Sequence, residues 1–105
     1  MDLIIKHHDQ FFFCEAKHIN TSGGGQDKQL SELIEITNLN EHNKNIHFIA
    51  FLDGKYSNIL LDEKYQSPKL LTQRNQIINN LKNNPGNFWV NSFGFKKLFE
   101  DLISS

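Results

Sequence analysis

Three residues near the amino terminus, Asp2, Glu15 and Lys17, are of the types that support metal-assisted phosphodiester hydrolysis. Carboxylate oxygens are the ligands that Mg²⁺ prefers, and a bound divalent cation stabilises developing charge and lowers the pKa of bound water. A lysine beside them stabilises charge or positions the nucleophile. Glu15 and Lys17 share a face in an extended strand. A Glu-x-Lys triplet alone is more typical of a strand that reaches water at its end.

Two apolar runs surround these residues and predict a β-hairpin. The runs cover residues 3–6 and 11–17, with the polar sequence HHDQ between them. Asp2 begins the first strand and Glu15 lies near the end of the second. Antiparallel pairing is therefore expected to bring the two carboxylates to one edge of the sheet, which makes the isolated triplet part of a candidate metal site.

The rest of the chain predicts a mixture of helices and strands. The glycine-rich stretch TSGGG precedes a predicted helix, and the apolar run IHFIAFL predicts a central strand buried on both faces. In order, we expect a helix over 26–37, strands over 46–52 and 58–61, a helix from Ser67-Pro68 to Pro85-Gly86, a strand over 88–90 and a last helix with Phe93, Leu98 and Phe99 on its apolar face.

The predicted order, ββαβ(β)αβα, indicates an α/β (α+β) fold: a mixed β-sheet with an N-terminal hairpin, flanked by helices. The length of 105 residues suits one domain over 1–105, and the net charge of -1 gives no global attraction for nucleic acid. Any such contact must be local or aided by a metal.

The single cysteine, Cys14, excludes an intrachain disulfide and a cysteine-based zinc site. Its apolar neighbours predict a packed, poorly ionised thiol rather than a nucleophile. The GxxxxGK(S/T) pattern is absent, which disfavours nucleotide hydrolysis. Apolar runs are too short to cross a bilayer, so we expect a cytoplasmic protein that does not bind membranes.

The pattern MD, twelve residues and EAK resembles the PD…(D/E)xK signature of the restriction-endonuclease-like nucleases, with Met1 in place of the proline. The stretch DLIIKHHDQFFFCEAKH resembles the hairpin that carries this signature. The stretches KHINTSGGGQDKQLSELIEI, HFIAFLDGKY and NFWVNSFGFKKL are similar, in that order, to the C-terminal catalytic portion of some type II restriction endonucleases. The resemblance covers nearly the whole chain.

This resemblance implies a restriction-endonuclease-like core that is truncated before its first strand, and a Mg²⁺-dependent DNA endonuclease of a restriction system in which Mn²⁺ can substitute. Asp2 and Glu15 would be the metal-binding carboxylates, the backbone carbonyl of Ala16 a further ligand, and Lys17 the catalytic lysine. Gln26 corresponds to a glutamine beside the active site in several branches of the superfamily.

Further residues would contact double-stranded DNA, and glycines among them would allow the backbone to approach it closely. These residues are His18, Asn20, Ser22, Gly23, Gly24, Lys28 and Gln29. Double-strand cleavage suggests that the protein forms a homodimer. The missing helix and proline suggest instead that its partner is the N-terminal half of a longer enzyme, or that the chain is a compact relative of the family. The alternative function is a catalytically silent nuclease fold that binds DNA or assembles with another protein.

Overall fold

The structure, a computed structural model, describes residues 2–21, 25–40 and 43–104 of the chain. Within these residues the elements follow the order ββαβααβα. The strands are β1 (Leu3–His7), β2 (Gln10–His18), β3 (Ile46–Asp53) and β4 (Phe88–Val90). The helices are α1 (Gly25–Ile36), α2 (Lys55–Leu61), α3 (Pro68–Asn83) and α4 (Ser92–Ser104). No helix among the described residues is both long enough and apolar enough to cross a membrane.

The strands form one mixed sheet in the order β1-β2-β3-β4. β1 and β2 are antiparallel, with Leu3 opposite Cys14 and His7 opposite Gln10. β3 runs parallel to β2, and β4 runs parallel to β3. The predicted hairpin and the mixed sheet flanked by helices are therefore confirmed. Because β2, β3 and β4 run the same way, their carboxyl ends share one edge of the sheet.

Strand β3 separates two apolar layers, since alternate side chains of a strand point to opposite faces. Ala50 and Leu52 are fully buried against α1, α2 and α3. Ile49 is equally buried on the other face, which α4 covers through Phe95 and Leu98. The predicted central strand buried on both faces is confirmed, and the helices on its two sides hold the sheet between them.

The strand predicted over residues 58–61 is wrong, because these residues belong to helix α2. Tyr56, Ser57 and Leu60 are buried at positions i, i+1 and i+4, which is the spacing of one helix face. The short apolar run of this segment is compatible with either a strand or a helix, and its sequence alone does not separate the two.

A contact from a distant helix stabilises α2, which has only seven residues and would be unstable in isolation. The guanidinium of Arg74, on α3, donates to the carbonyl oxygens of Leu60, Ile59 and Asp62. A helix leaves its last carbonyls without internal partners, and Arg74 satisfies them. Tertiary structure thus decides that residues 58–61 form a helix rather than a strand.

One buried amide joins the amino end of the sheet to the segment after α1. Asn87 follows the Pro85-Gly86 turn, and its Oδ1 accepts the N–H of Phe48 at 3.1 Å. Its Nδ2 donates to the carbonyl oxygens of Thr37 at 3.1 Å and Leu39 at 2.7 Å. Since all three partners are backbone groups, the side chain of Asn87 replaces hydrogen bonds that no secondary structure supplies there.

We expect Asn87→Ala to lower the free energy of unfolding by about 2–3 kcal/mol, because it leaves buried backbone groups without partners. Asn79→Ala, at an exposed position of α3, is the control and should change it by less than about 0.5 kcal/mol. Urea denaturation measures both. Equal effects of the two changes would show that the Asn87 amide does not hold this junction together.

Candidate functional site

Strand β2 positions the residues predicted to do chemistry. Glu15 and Lys17 point to the face covered by α1, because their neighbours on β3 are Ala50 and Leu52. Glu15 Oε1 lies 3.9 Å from Lys17 Nζ, and the two side chains are 24% and 27% exposed. The pair therefore lies on one face, as its spacing predicts, and it is screened from water more than a surface ion pair.

Asp2 lies beside this pair at the margin of the sheet. Its backbone N–H donates to the carbonyl of Cys14 at 3.0 Å. Continuing the register by one residue beyond the Leu3–Cys14 pair places Asp2 opposite Glu15. The Asp2 carboxylate then accepts the backbone N–H of Ala16 through Oδ2 at 2.9 Å. The Asp2 carboxylate therefore lies against the backbone of the residue between Glu15 and Lys17, at the margin where β1 begins.

The backbone of Ala16 adds a third oxygen to this margin. The N–H and C=O of one strand residue point to the same side of the strand. Because the Ala16 N–H points at Asp2, the Ala16 carbonyl oxygen also points to the Asp2 side of β2. Two carboxylates and one carbonyl are hard oxygen donors, so this donor set fits Mg²⁺. In the described part of the chain, no three His, Cys, Asp or Glu side chains gather into a metal-binding group.

The pKa of the Cys14 thiol depends on its burial and on the two nearby carboxylates. Burial, and after it the negative charges of Asp2 and Glu15, raise the pKa of this thiol to about 11. Cys14 is 3% exposed and packs with Phe12 and Ile49. The predicted packing role of Cys14 is confirmed, and the thiol is a poor nucleophile at neutral pH.

His18 and Asn20 lie at the carboxyl end of β2 and contact the end of β3. His18 Nδ1 lies 3.2 Å from Asp53 Oδ2. The Gly54 backbone N–H, and then His18, lower the pKa of Asp53 below its ordinary value. Asn20 Oδ1 accepts the backbone N–H of Lys55 at 3.1 Å. Both predicted DNA-contacting residues therefore also tie β2 to the turn between β3 and α2.

The remaining predicted site residues lie around the start of α1. Gln26, Lys28 and Gln29 occupy exposed positions of its first turns. Ser22, Gly23 and Gly24 lie outside the described residues. Asp27 is also in the first turn, and its carboxylate pairs with Lys69 of α3 at 2.7 Å, which fixes the start of α1 against a neighbouring helix.

The turn between β3 and α2 is an additional feature of this edge, and none of its residues was predicted as part of the site. Gly54 has φ +99°, and a Cβ there would collide with the Ile19 carbonyl. That carbonyl accepts the Tyr56 N–H at 3.0 Å, and the Ile19 N–H donates to Asp53 at 2.9 Å. The Asp53-Gly54 dipeptide after a buried strand is the sequence signal of this tight turn.

No protein-family model, curated protein or solved structure matches this chain.

The raised pKa of Cys14 predicts a pH-dependent contribution to stability. The unfolded thiol ionises near pH 9 and the folded one near pH 11. The contribution is therefore fully present below pH 9 and is lost as the pH rises toward 11. We expect the difference in free energy of unfolding between the wild type and Cys14→Ala to shrink over this range. Denaturation at several pH values measures it, and a constant difference would contradict the prediction.

We expect Gly54→Ala to destabilise the fold by about 2–3 kcal/mol, because its backbone conformation is one that essentially only glycine adopts. Gly25→Ala is the matched control, since a Cβ at Gly25 meets nothing within 4 Å and lies at the start of a helix. The control should be neutral or slightly stabilising in thermal denaturation. If both changes are equally tolerated, the turn is not constrained as described.

Proposed function

We propose that this protein is a Mg²⁺-dependent DNA endonuclease of the restriction-endonuclease-like class, with Asp2, Glu15 and Lys17 as its active-site residues. The observation that carries the proposal is that the Asp2 carboxylate accepts the N–H of Ala16, the residue between Glu15 and Lys17, which form an ion pair on the same strand. The element order of a hairpin, a helix and a parallel strand also supports the proposal. The sequence resemblance places the same three residues on a hairpin of this kind.

Asp2, Glu15 and the Ala16 carbonyl would hold the cation. When bound, Mg²⁺ supplies charge stabilisation at a phosphate and lowers the pKa of a bound water. Lys17 lies within 3.9 Å of Glu15 and keeps an ammonium group beside the place where phosphate charge develops. The partial burial of Lys17 strengthens the interaction of its ammonium group with a phosphate, since the local dielectric is lower than that of water.

The overall charge of -1 gives no long-range attraction for DNA, so the substrate must be held by local contacts. Lys17, Asn20 and Lys55 lie along the carboxyl ends of β2 and β3 and supply such contacts. Lys28 and Gln29, exposed on α1, extend them on the face of Glu15 and Lys17. A strand of DNA that follows this edge passes the carboxylates at one end.

A second candidate is a catalytically silent fold that binds DNA or a partner protein. The observation that favours it is that both carboxylates already interact with protein groups: Asp2 with the Ala16 N–H and Glu15 with Lys17. A carboxylate that keeps these partners offers fewer lone pairs to a metal. The two candidates differ in whether a divalent cation binds at Asp2 and Glu15.

We expect cleavage of plasmid and short duplex DNA that requires Mg²⁺ or Mn²⁺. Lys17→Ala and Glu15→Gln should each reduce the single-turnover rate by about 100-fold or more, because the first removes a positive charge beside the reacting phosphate and the second removes a metal-binding carboxylate. Lys82→Ala and Glu63→Gln make the same chemical changes at exposed positions away from β2 and should leave the rate unchanged.

Calorimetry with Mn²⁺ separates the two candidates. A one-site isotherm that disappears in Glu15→Gln supports the nuclease, and the absence of specific binding at this position supports the silent fold. Cleavage that survives both Lys17→Ala and Glu15→Gln would rule out the proposed active site. Urea denaturation of each variant shows whether a loss of activity is a loss of folding.

A further inference from the structure

A polar cavity lies at the carboxyl edge of the sheet, beyond the residues assigned above to the metal. Its volume is about 380 Å³, and it opens between the turn after β3, helix α2 and the start of α4. In sheets with parallel strands, ligands commonly bind outside the carboxyl ends of the strands. The volume falls within the range of sites for small molecules.

One residue that lines the cavity carries a buried polar atom for which the described residues supply no partner. Ser57 lines it and is 2% exposed, and among the described residues its Oγ has no hydrogen-bond partner. A buried hydroxyl without a partner is costly, and such groups in a folded protein often receive one from a ligand. This hydroxyl lies on α2, the element whose position is determined by Arg74 and Gly54.

The amides around the cavity present donors. Asn20 Oδ1 accepts the Lys55 N–H at 3.1 Å, and Asn91 Oδ1 accepts the Gly94 N–H at 2.8 Å. Because a backbone N–H can only donate, these bonds identify the oxygen of each amide, and each Nδ2 is left as a donor. Both residues line the cavity, as does Lys55. A ligand rich in acceptor oxygens, such as a phosphodiester, matches this set.

An exposed aromatic ring adjoins these donors. Phe93 lines the cavity, and its apolar side chain is 79% exposed, whereas most phenylalanine side chains are buried. Lys96 and Lys97 follow it by three and four positions on α4, so they are its neighbours on the helix surface, while Glu100 and Asp101 lie one turn further. An open aromatic face beside phosphate donors and lysines is the arrangement that binds a nucleotide whose base has left its stack.

We infer that this cavity binds one unstacked nucleotide of a DNA strand, with its phosphate at Asn20, Ser57 and Asn91 and its base against Phe93. The inference rests on the proposed function, because the strand that passes Lys17 reaches the cavity through the neighbouring His18–Asp53 pair. The substrate of the proposed nuclease is then DNA that is single-stranded or locally opened at this position.

The test is fluorescence polarisation with a labelled single-stranded oligonucleotide in Ca²⁺ or EDTA, where binding is measured without Mg²⁺-dependent cleavage. Phe93→Ala should weaken binding about tenfold, since stacking on an aromatic residue contributes that much per base. Tyr65→Ala removes another exposed aromatic ring, 41% exposed and away from the cavity, and should bind as the wild type does.

Ser57→Ala separates binding from folding. Removal of an unpaired buried hydroxyl should leave the melting temperature unchanged or raise it, while DNA affinity falls several-fold because a phosphate donor is lost. A structural role for Ser57 would instead lower the melting temperature and leave affinity unaffected.

Wild-type affinity in both Phe93→Ala and Ser57→Ala, or no binding of single-stranded DNA by the wild type, overturns the inference. Cleavage of duplex DNA measured in parallel tests the proposed function separately. If cleavage depends on Lys17 but Phe93→Ala binds as the wild type does, only the inference is wrong. If Phe93→Ala weakens binding but cleavage is absent or unchanged in Lys17→Ala, the nucleotide site is supported and the proposed nuclease activity is wrong.

Discussion

The pairing of β2 with two different strands is the constraint on which the rest of the structure depends. β2 is antiparallel to β1 and parallel to β3, so successive residues direct their backbone groups to opposite neighbours. Its side chains alternate in the same way, with Phe12 and Cys14 each 3% exposed on the α4 face. A slip of one residue would move these side chains to the α1 face and place Glu15 and Lys17 among the apolar side chains under α4.

The same register explains the electrostatics of the sheet margin. Backbone groups of Cys14 and Ala16 point toward β1, where both contact Asp2. Side chains of Glu15 and Lys17 point toward α1 and are only partly open to water. Charge is therefore concentrated near a short edge strand, where burial first and the charges of Asp2 and Glu15 second raise the pKa of the Cys14 thiol.

The carboxyl edge depends on a second constraint, the turn at Gly54. Its positive φ lets the chain leave β3 and start α2 while the Ile19 carbonyl stays bonded to Tyr56. This turn places Ser57 and Asn20 around one cavity. The last residues of β2 thus connect the margin at Asp2 to the cavity.

Most of the fold could be predicted from local pattern. Strands β1, β2, β3 and β4 and helices α1, α3 and α4 follow from runs of apolar residues with period 2 or 3.6, and Ser67 does cap α3 through the Leu70 N–H at 3.3 Å. Residues 58–61 could not be assigned in this way, since their helix is stabilised by Arg74, which is 12 to 15 positions from the carbonyls it binds.

The candidate site divides in the same manner. Alternation along β2 by itself determined that Glu15 and Lys17 share a face, and the hairpin pattern determined that Asp2 lies near them. Only the tertiary structure decided that Asp2 accepts the Ala16 N–H, that His18 meets Asp53, and that Ser57 lines a cavity without a partner. The physical reason is range: side-chain periodicity is a property of neighbouring residues, whereas hydrogen bonds and cavities depend on where distant segments pack.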